Sequence, residues 1–354
     1  MRDLLETTIE RIFGDLVSPA LIHQSAEGAW PAELWSTLEE AEMTFAAVPE
    51  ALGGAGAAWE DTFTLVRAAG AYAVPAPFPD TLLANWLLGR AGLQPAKGPL
   101  AIAAHSRLTC VNGLASGRLE KIPWGRDLKR IVAVAAGPTP QLVVIDTASA
   151  AQLDRRTNLA GEPRDTVIFE RARVIHLEPL PPGTQPDLLL LCGAMLRSAQ
   201  IAGALQSLLQ MTTGYAIERV QFGKPIGHFQ VIQQQIAVMA EHTMCCLLAA
   251  EAAFAESGNE LTALPIIAAK ICAGEAAGIG ASTAHAVHGA IGFTDEHSLH
   301  LKTRRLWAWR AEYGSQNYWS QRLGQSVCES GSSTLWPMLT QTAKTELGAT
   351  EILA

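Results

Sequence analysis

Charge is scarce in this 354-residue chain: 17% of its residues are Asp, Glu, Lys or Arg against 49% hydrophobic, and the formal net charge is −8. That balance excludes a nucleic-acid surface as the main business of the molecule, because phosphate-backbone binders carry a basic excess. Gly and Pro are scattered rather than concentrated, which excludes low-complexity and disordered architectures. The cysteines, at 110, 192, 245, 246, 272 and 328, form no CxxC pair and no zinc-ligand spacing. A reducing cytoplasm is the simplest setting, with most of these thiols expected as buried small hydrophobes. Glu296-His297-Ser298-Leu299-His300 does not reproduce the HExxH arrangement, so no metal is expected.

No uninterrupted apolar run reaches the ~20 residues of a membrane span. The longest, Leu188 to Leu196, is roughly half of that length. The N-terminal MRDLLETTIERIF lacks the apolar core of a signal peptide, so a soluble, cytoplasmic chain with no membrane partner is expected. Nucleophile-elbow, P-loop and Rossmann glycine patterns are also missing, which removes support for hydrolase and nucleotide-fold chemistry.

What is present falls into three blocks. Residues 1–95 read as helical, with Trp35, Leu38 and Met43 on one side of a segment after Pro31, a loop at Val48 to Gly56, and helix again from Trp59 to Ala73. Residues 96–182 carry short β-branched runs, Arg130 to Val134, Leu142 to Ile145 and Thr166 to Phe169, separated by Gly, Pro and Asp, with Pro179, Pro181 and Pro182 at the exit. Residues 183–354 return to helical periodicity, as in Ile232, Ile236, Met239, Thr243 and Leu247, with a break at Gly258-Asn259. The expected fold is mainly α with a central β domain: an N-terminal helical domain, a β-barrel-like middle and a C-terminal four-helix bundle.

The densest polar chemistry is Glu218 to Gln230, ERVQFGKPIGHFQ, set between long apolar helices. Gly223 and Pro225 end one helix and Gly227 approaches the next, which puts Arg219 in the last turn before a corner. A guanidinium there suits a diphosphate, Phe222 can cover a flat ring, and Gln221 and Gln230 offer amide hydrogen bonds. The same residues also suit a packed helix corner carrying one surface arginine.

This stretch closely resembles the signature of the acyl-CoA dehydrogenase family, in which a long helix ends at R-x-x-F-G and the next starts after F-Q. Further landmarks fall in the family's order: VPEALGGAG at 48–56, Lys270 within Ile266 to Ala277, and HGAIGFTDEHSLHLKTRR from His288 to Arg305. The resemblance implies a flavoprotein that uses FAD to desaturate an acyl-CoA thioester. Such proteins form homo- or hetero-oligomers, usually hand electrons to an electron-transfer flavoprotein, and bind each FAD at a protomer boundary. It assigns Arg219, Gln221, Phe222 and Gln230 to the FAD diphosphate region of a neighbouring protomer, and adds His288, Gly289 and Ser315 as cofactor contacts.

Three departures accompany the match. The family's Q-x-x-G-G segment reads here Ala286-Val287-His288-Gly289-Ala290, one amide hydrogen bond fewer, which costs about 1 kcal/mol. The T-E-P-x-x-G-S-D stretch beside the flavin has no counterpart, although Ile122 to Arg126 loosely matches the following flavin-contacting strand. The usual base, a glutamate before a glycine, falls on Tyr313 when counted from Arg304 and Gly314, and the alternative base position falls on Gly193. Glu312 is the neighbouring carboxylate and the candidate base of this chain. Three readings stay open: a subunit of a heteromeric dehydrogenase with shared flavin sites, a self-sufficient enzyme with a non-standard base, and a non-catalytic structural paralogue. Small residues at Gly193, Ala194 and Ser198 suit either a bulky acyl chain or close helix packing.

Overall fold

Two-residue and helical periodicities segregate along the chain, and the computed structural model, which describes residues 1–137, 140–180, 187–257, 261–331 and 336–337, follows that segregation. Helices α1 (Arg2–Leu16), α2 (Pro19–Ala26), α3 (Ala32–Glu40), α4 (Phe63–Ala71) and α5 (Phe78–Arg90) come first. Strands follow: β1 (Leu100–Ala103), β2 (His105–Val111), β3 (Leu114–Pro123), β4 (Arg130–Ala135), β5 (Gln141–Asp146), β6 (Gln152–Asp154) and β7 (Arg164–Pro179). The last block holds α6 (Leu188–Glu218), a hairpin of β8 (Val220–Gln221) and β9 (Lys224–Pro225), then α7 (Gln230–Ala255), α8 (Ala263–His288), α9 (Leu299–Trp309) and α10 (Gln316–Ser330).

The strands form one sheet in the order β1-β4-β5-β7-β3-β2, with β6 also on β7. The 16-residue β7 spans the sheet, pairing β3 over its first part and β5 over its last, with a register shift between Val144 and Ile145. Such shifts add local twist and curl a long strand around its partners. The expected runs at 130–134 and 142–145 are β4 and β5, and 166–169 lies inside β7. Pro181, Pro182 and Gly258-Asn259 lie outside the described residues.

The main core joins the helical blocks through α4 and α6. Where they cross, a Cβ on Gly70 would stand 1.9 Å from the carbonyl oxygen of Gln200, and one on Gly203 1.9 Å from that of Arg67. The backbones therefore touch, and the two glycines set their separation. Behind this crossing Trp59 stacks between Trp86 (4.4 Å) and Phe254 (5.3 Å), tying α5 and α7 to the same core.

Several expectations need correction. Met43 lies beyond α3 in a 3₁₀ turn. Only Cys192 and Cys246 are buried, whereas Cys245 and Cys328 are exposed and Cys110 and Cys272 half-buried. Counting uninterrupted apolar runs also understated the helices: α6, α7 and the span Ala263–Phe293 are each long and apolar enough to cross a membrane by length and composition. In α6 the apolar window is 89% buried inside the protein, but in α7 only 28%, so α7 presents Val231, Val238, Met244 and Leu248 outward.

Gly203→Ala should lower stability by about 1–3 kcal/mol through backbone displacement at this crossing. The measurement is the urea unfolding midpoint at unchanged slope; an unshifted midpoint would contradict the contact.

Candidate functional site

Where the sheet meets the start of α6 an open cleft of about 670 Å³ is lined by His105, Ser106 and Lys121 on the sheet side and by Asp187, Gly314 and Ser315 on the helical side. Its volume is that of a small-molecule site. Ser315 caps α10, its Oγ accepting the Tyr318 N–H at 3.2 Å. Trp124, from the loosely matched flavin-contacting segment, instead packs under the Arg164 guanidinium (5.3 Å to the ring), away from this lining.

Just behind the cleft, Gly193 and Tyr313, the two positions that the resemblance matches to the family's base, face each other. A Cβ at residue 193 would stand 2.1 Å from Cδ1 of Tyr313, so only glycine lets the ring lie there. Tyr313 takes φ +53° and Gly314 φ +88°, an uncommon backbone for a bulky side chain. The ring is held from three sides, by the Arg197 guanidinium at 5.2 Å, by the His105 ring at 6.4 Å and near-parallel, and by a hydroxyl bond to Asp80 Oδ1 at 3.3 Å. Burial raises the proton affinity of Asp80 against the pull of Arg197, and burial together with Asp80 raises that of Tyr313. Gly193 is therefore used for close packing, and Ala194 and Ser198 are likewise buried, with the Ser198 hydroxyl donating to the Ala194 carbonyl at 2.8 Å.

Glu312 points away from the ring into a charge network. Its Oε1 accepts from Arg164 Nε (2.8 Å) and Asn158 Nδ2 (2.9 Å), and its Oε2 from Arg197 Nε (2.8 Å) and Arg164 Nη2 (3.1 Å). Burial opposes the charge, but Arg164 and Arg197 outweigh it and hold the carboxyl far below the usual carboxylate range. A carboxylate so occupied has the properties of a counter-ion and little basicity to offer a substrate proton. Glu162 extends the network, binding Arg164, Arg305 and the Trp309 indole N–H (2.9 Å).

The turn that carries Glu312 and Tyr313 is anchored from beneath by Lys270 on α8. Its fully buried Nζ donates to the carbonyls of Arg310 (2.9 Å) and Gly314 (2.8 Å). Burial, against the attraction of Glu312, brings the amine down to about 7. A neutral amine has two N–H donors, which matches the two carbonyl acceptors.

ERVQFGKPIGHFQ folds as a hairpin corner. Arg219 is the extended C-cap of α6, one residue past the helical turn expected for it. Phe222 and Gly223 at φ +53° and +80° form a two-residue turn of the kind that matches strand twist. Phe222 is 92% exposed. The Arg219 side chain makes no hydrogen bond or ion pair among the described residues, and Gln230 opens α7 exposed and without a side-chain cap. The Gln221 amide donates to the Val220 carbonyl at 2.9 Å. His288 is buried, its ring stacked on Tyr215 at 4.4 Å, so α8 and Gly289 are drawn to the last turns of α6. The candidate cofactor residues thus fall into two groups, Ser315 at the cleft and the rest at the corner. The 26 residues of α6 between Gly193 and Arg219 span about 39 Å, farther than one dinucleotide reaches.

Comparison with known proteins gives this arrangement its relatives. Residues 189–327 match the family described as acyl-CoA dehydrogenase, C-terminal domain. The chain is 30% identical over 309 residues to acyl-CoA dehydrogenase IpdE2 of Mycobacterium tuberculosis, covering 86% of this chain and 90% of that one. The chain belongs to the acyl-CoA dehydrogenase family. In fold it resembles the ChsE4-ChsE5 complex from Mycobacterium tuberculosis, with TM-score 0.84 and 20% identity over 94% of this chain and 98% of that one. It also resembles the Tcur3481-Tcur3483 steroid ACAD, with TM-score 0.82 and 22% identity over 93% and 98% of the two chains.

The family's FAD can be tested against the corner. A Cβ built on Gly289, which has φ +63°, meets nothing within 4 Å, leaving open backbone at the end of α8. Together with the unpaired Arg219 guanidinium and the uncapped amides of α7, this donor set fits an outside diphosphate. Arg219, Gln230 and the Gly289 backbone would hold it; the buried His288 ring faces inward.

Glu312→Gln should destabilise the chain by about 3–5 kcal/mol, because Arg164 and Arg197 stay buried with one counter-charge fewer. Glu312's proton affinity is lower in the folded state, so its contribution is complete above about pH 4.3 and is lost as pH falls from there. Thermal melts between pH 7 and 3 should therefore show a shallower acid slope in the variant; parallel curves would refute the assignment.

Proposed function

We propose that this chain is one subunit of a hetero-oligomeric, FAD-dependent acyl-CoA dehydrogenase. In this reading it supplies Arg219, Gln230 and the Gly289 backbone to a flavin whose ring lies in a partner chain's site. The observation that carries the reading is the Tyr313 ring seated on Gly193. The place where a substrate's α-proton would meet its base is filled by a phenol whose hydroxyl is bonded to Asp80. Desaturation needs a carboxylate to take the α-proton while the flavin, when bound, accepts the β-hydride. Here Glu312 is neutralised by Arg164 and Arg197, and Asp80 is buried against Tyr313, so the proton would be taken by the partner chain.

The outward apolar row of α7, continuous with the corner, supports a protomer interface there. That the similar ChsE4-ChsE5 structure is a complex of two chains is in keeping with a heteromer. The acceptor proposed is an electron-transfer flavoprotein, and the setting a reducing cytoplasm in keeping with six free thiols. The self-sufficient reading requires Glu312 to exchange its two arginines for substrate, which the network disfavours.

Expressed alone, the chain should be colourless. Co-expressed with a family member that carries the glutamate base, it should co-purify with the flavin absorbance band. A yellow homo-oligomer that bleaches with an acyl-CoA would overturn the proposal. In the co-expressed complex, Arg219→Ala should cut flavin content at least tenfold with circular dichroism unchanged, since the side chain is exposed; full flavin retention would remove Arg219 from the site.

A further inference from the structure

Five of the nine histidines collect around the C-terminal end of α8: His285 and His288 on the helix, His297 in the segment after it, His300 on α9 and His23 on α2. The His288 Nδ1 lies 2.8 Å from the Ala284 carbonyl, which fixes the proton on that nitrogen and leaves a lone pair on Nε2. That Nε2 is buried with no hydrogen-bond partner among the described residues, as are His285 Nδ1 and His300 Nε2. The His297 ring stands 4.9 Å from His288 and the His23 ring 5.7 Å from His300. His285 is stacked on Phe293 at 4.3 Å and its Nε2 bonds Thr303 Oγ1 at 2.9 Å. The fixed charges facing this group are Arg304 on α9 and the fully exposed Asp295, 3.9 Å from His300 Nε2. Burial lowers the proton affinity of His285, His288 and His300, and the neighbouring histidines act in the same direction.

The cluster also joins the two halves of the corner. His288 stacks on Tyr215, whose carbonyl accepts the Arg219 N–H at 2.9 Å, and Gly289 follows His288 directly. We infer that the histidine cluster is an acid-released latch, in which the neutral His288–Tyr215 stack keeps Arg219 and Gly289 in register for a diphosphate-bearing cofactor and protonation of the cluster frees them. His288 is then a positioning residue. A proton on its Nε2 is opposed by the neighbouring His297 and His285. The consequence for the cofactor rests on the shared-flavin reading; the latch itself can be tested on the chain without flavin.

Because His285, His288 and His300 bind protons less readily when folded, the unfolded chain takes up protons first below about pH 6.5, and stability falls from there downward. Melting temperatures of the chain alone at pH 7.5 and 5.5 would be compared with His288→Phe, which keeps a stacking ring without a titrating nitrogen, and with His300→Asn. The wild-type decrease should exceed that of either variant by about 2 °C or more. Tyr215 ring signals should shift with the His288 titration in the wild type. Equal decreases in all three proteins, or a His288 that titrates without moving Tyr215, would overturn the latch. If one variant does not fold, the other decides. In the co-expressed complex, acidification to pH 5.5 should release at least twice as much flavin from wild type as from His288→Phe; equal release would sever the latch from the cofactor. A complex that never carries flavin would sink the shared-flavin reading while leaving the melts to decide the latch.

Discussion

Six charges at one junction, five buried and Glu312 partly so, hold this architecture together. Asp80 from α5, Glu162 and Arg164 from the sheet block, Arg197 from α6, Arg305 from α9 and Glu312 from the following turn are packed where all three blocks meet. Three carboxylates answer three guanidiniums, so the junction is neutral, but each charge depends on partners from another block. Sliding one block against another would strand a buried ion. The relative placement of sheet, α5 and bundle is thereby specified more tightly than apolar contact alone would require.

That junction also decides the chemistry at the cleft. Its cations claim both oxygens of Glu312, while its Asp80 accepts from the Tyr313 hydroxyl and its Arg197 lies over the Tyr313 ring. A residue one position from the expected base is turned into structure, and the expected base position is filled by a ring that needs Gly193 to fit. At the surface, the end of α6 and the length of α7 carry an exposed phenylalanine, an arginine unpaired among the described residues and an outward apolar row. An outer corner of this kind is what the proposed partner chain would cover.

Much of this was legible from local pattern. The helix-strand-helix order, the strands at 130–134 and 142–145 and the corner at ERVQFGKPIGHFQ all rest on periodicity or turn chemistry within a few residues. Motif counting also picked Tyr313 and Gly193 as positions without a base, although 120 residues separate them in sequence. Cysteine burial and the fate of Glu312 were not legible. Whether a thiol on an amphipathic helix faces core or solvent depends on which neighbour covers that face. The arginines that engage Glu312 lie 148 and 115 residues away from it. Of the histidine cluster the sequence singled out only Glu296 to His300, as a motif that fits no metal, and nothing in that run disclosed His23 or the stacking of Tyr215 on His288.

By itself the sequence determined the order of helical and strand blocks and pointed to the family and to two matched base positions without a carboxylate, because each of these is written in residue identity and short spacing. The tertiary structure alone decided that Gly193 and Tyr313 touch, that Glu312 is spent on Arg164 and Arg197, and that the candidate cofactor residues divide between a cleft and a corner at opposite ends of α6. Those outcomes depend on which distant side chains share a buried space, where an ion must find its counter-ion and a ring its gap, and such pairings are set only when the blocks close on one another.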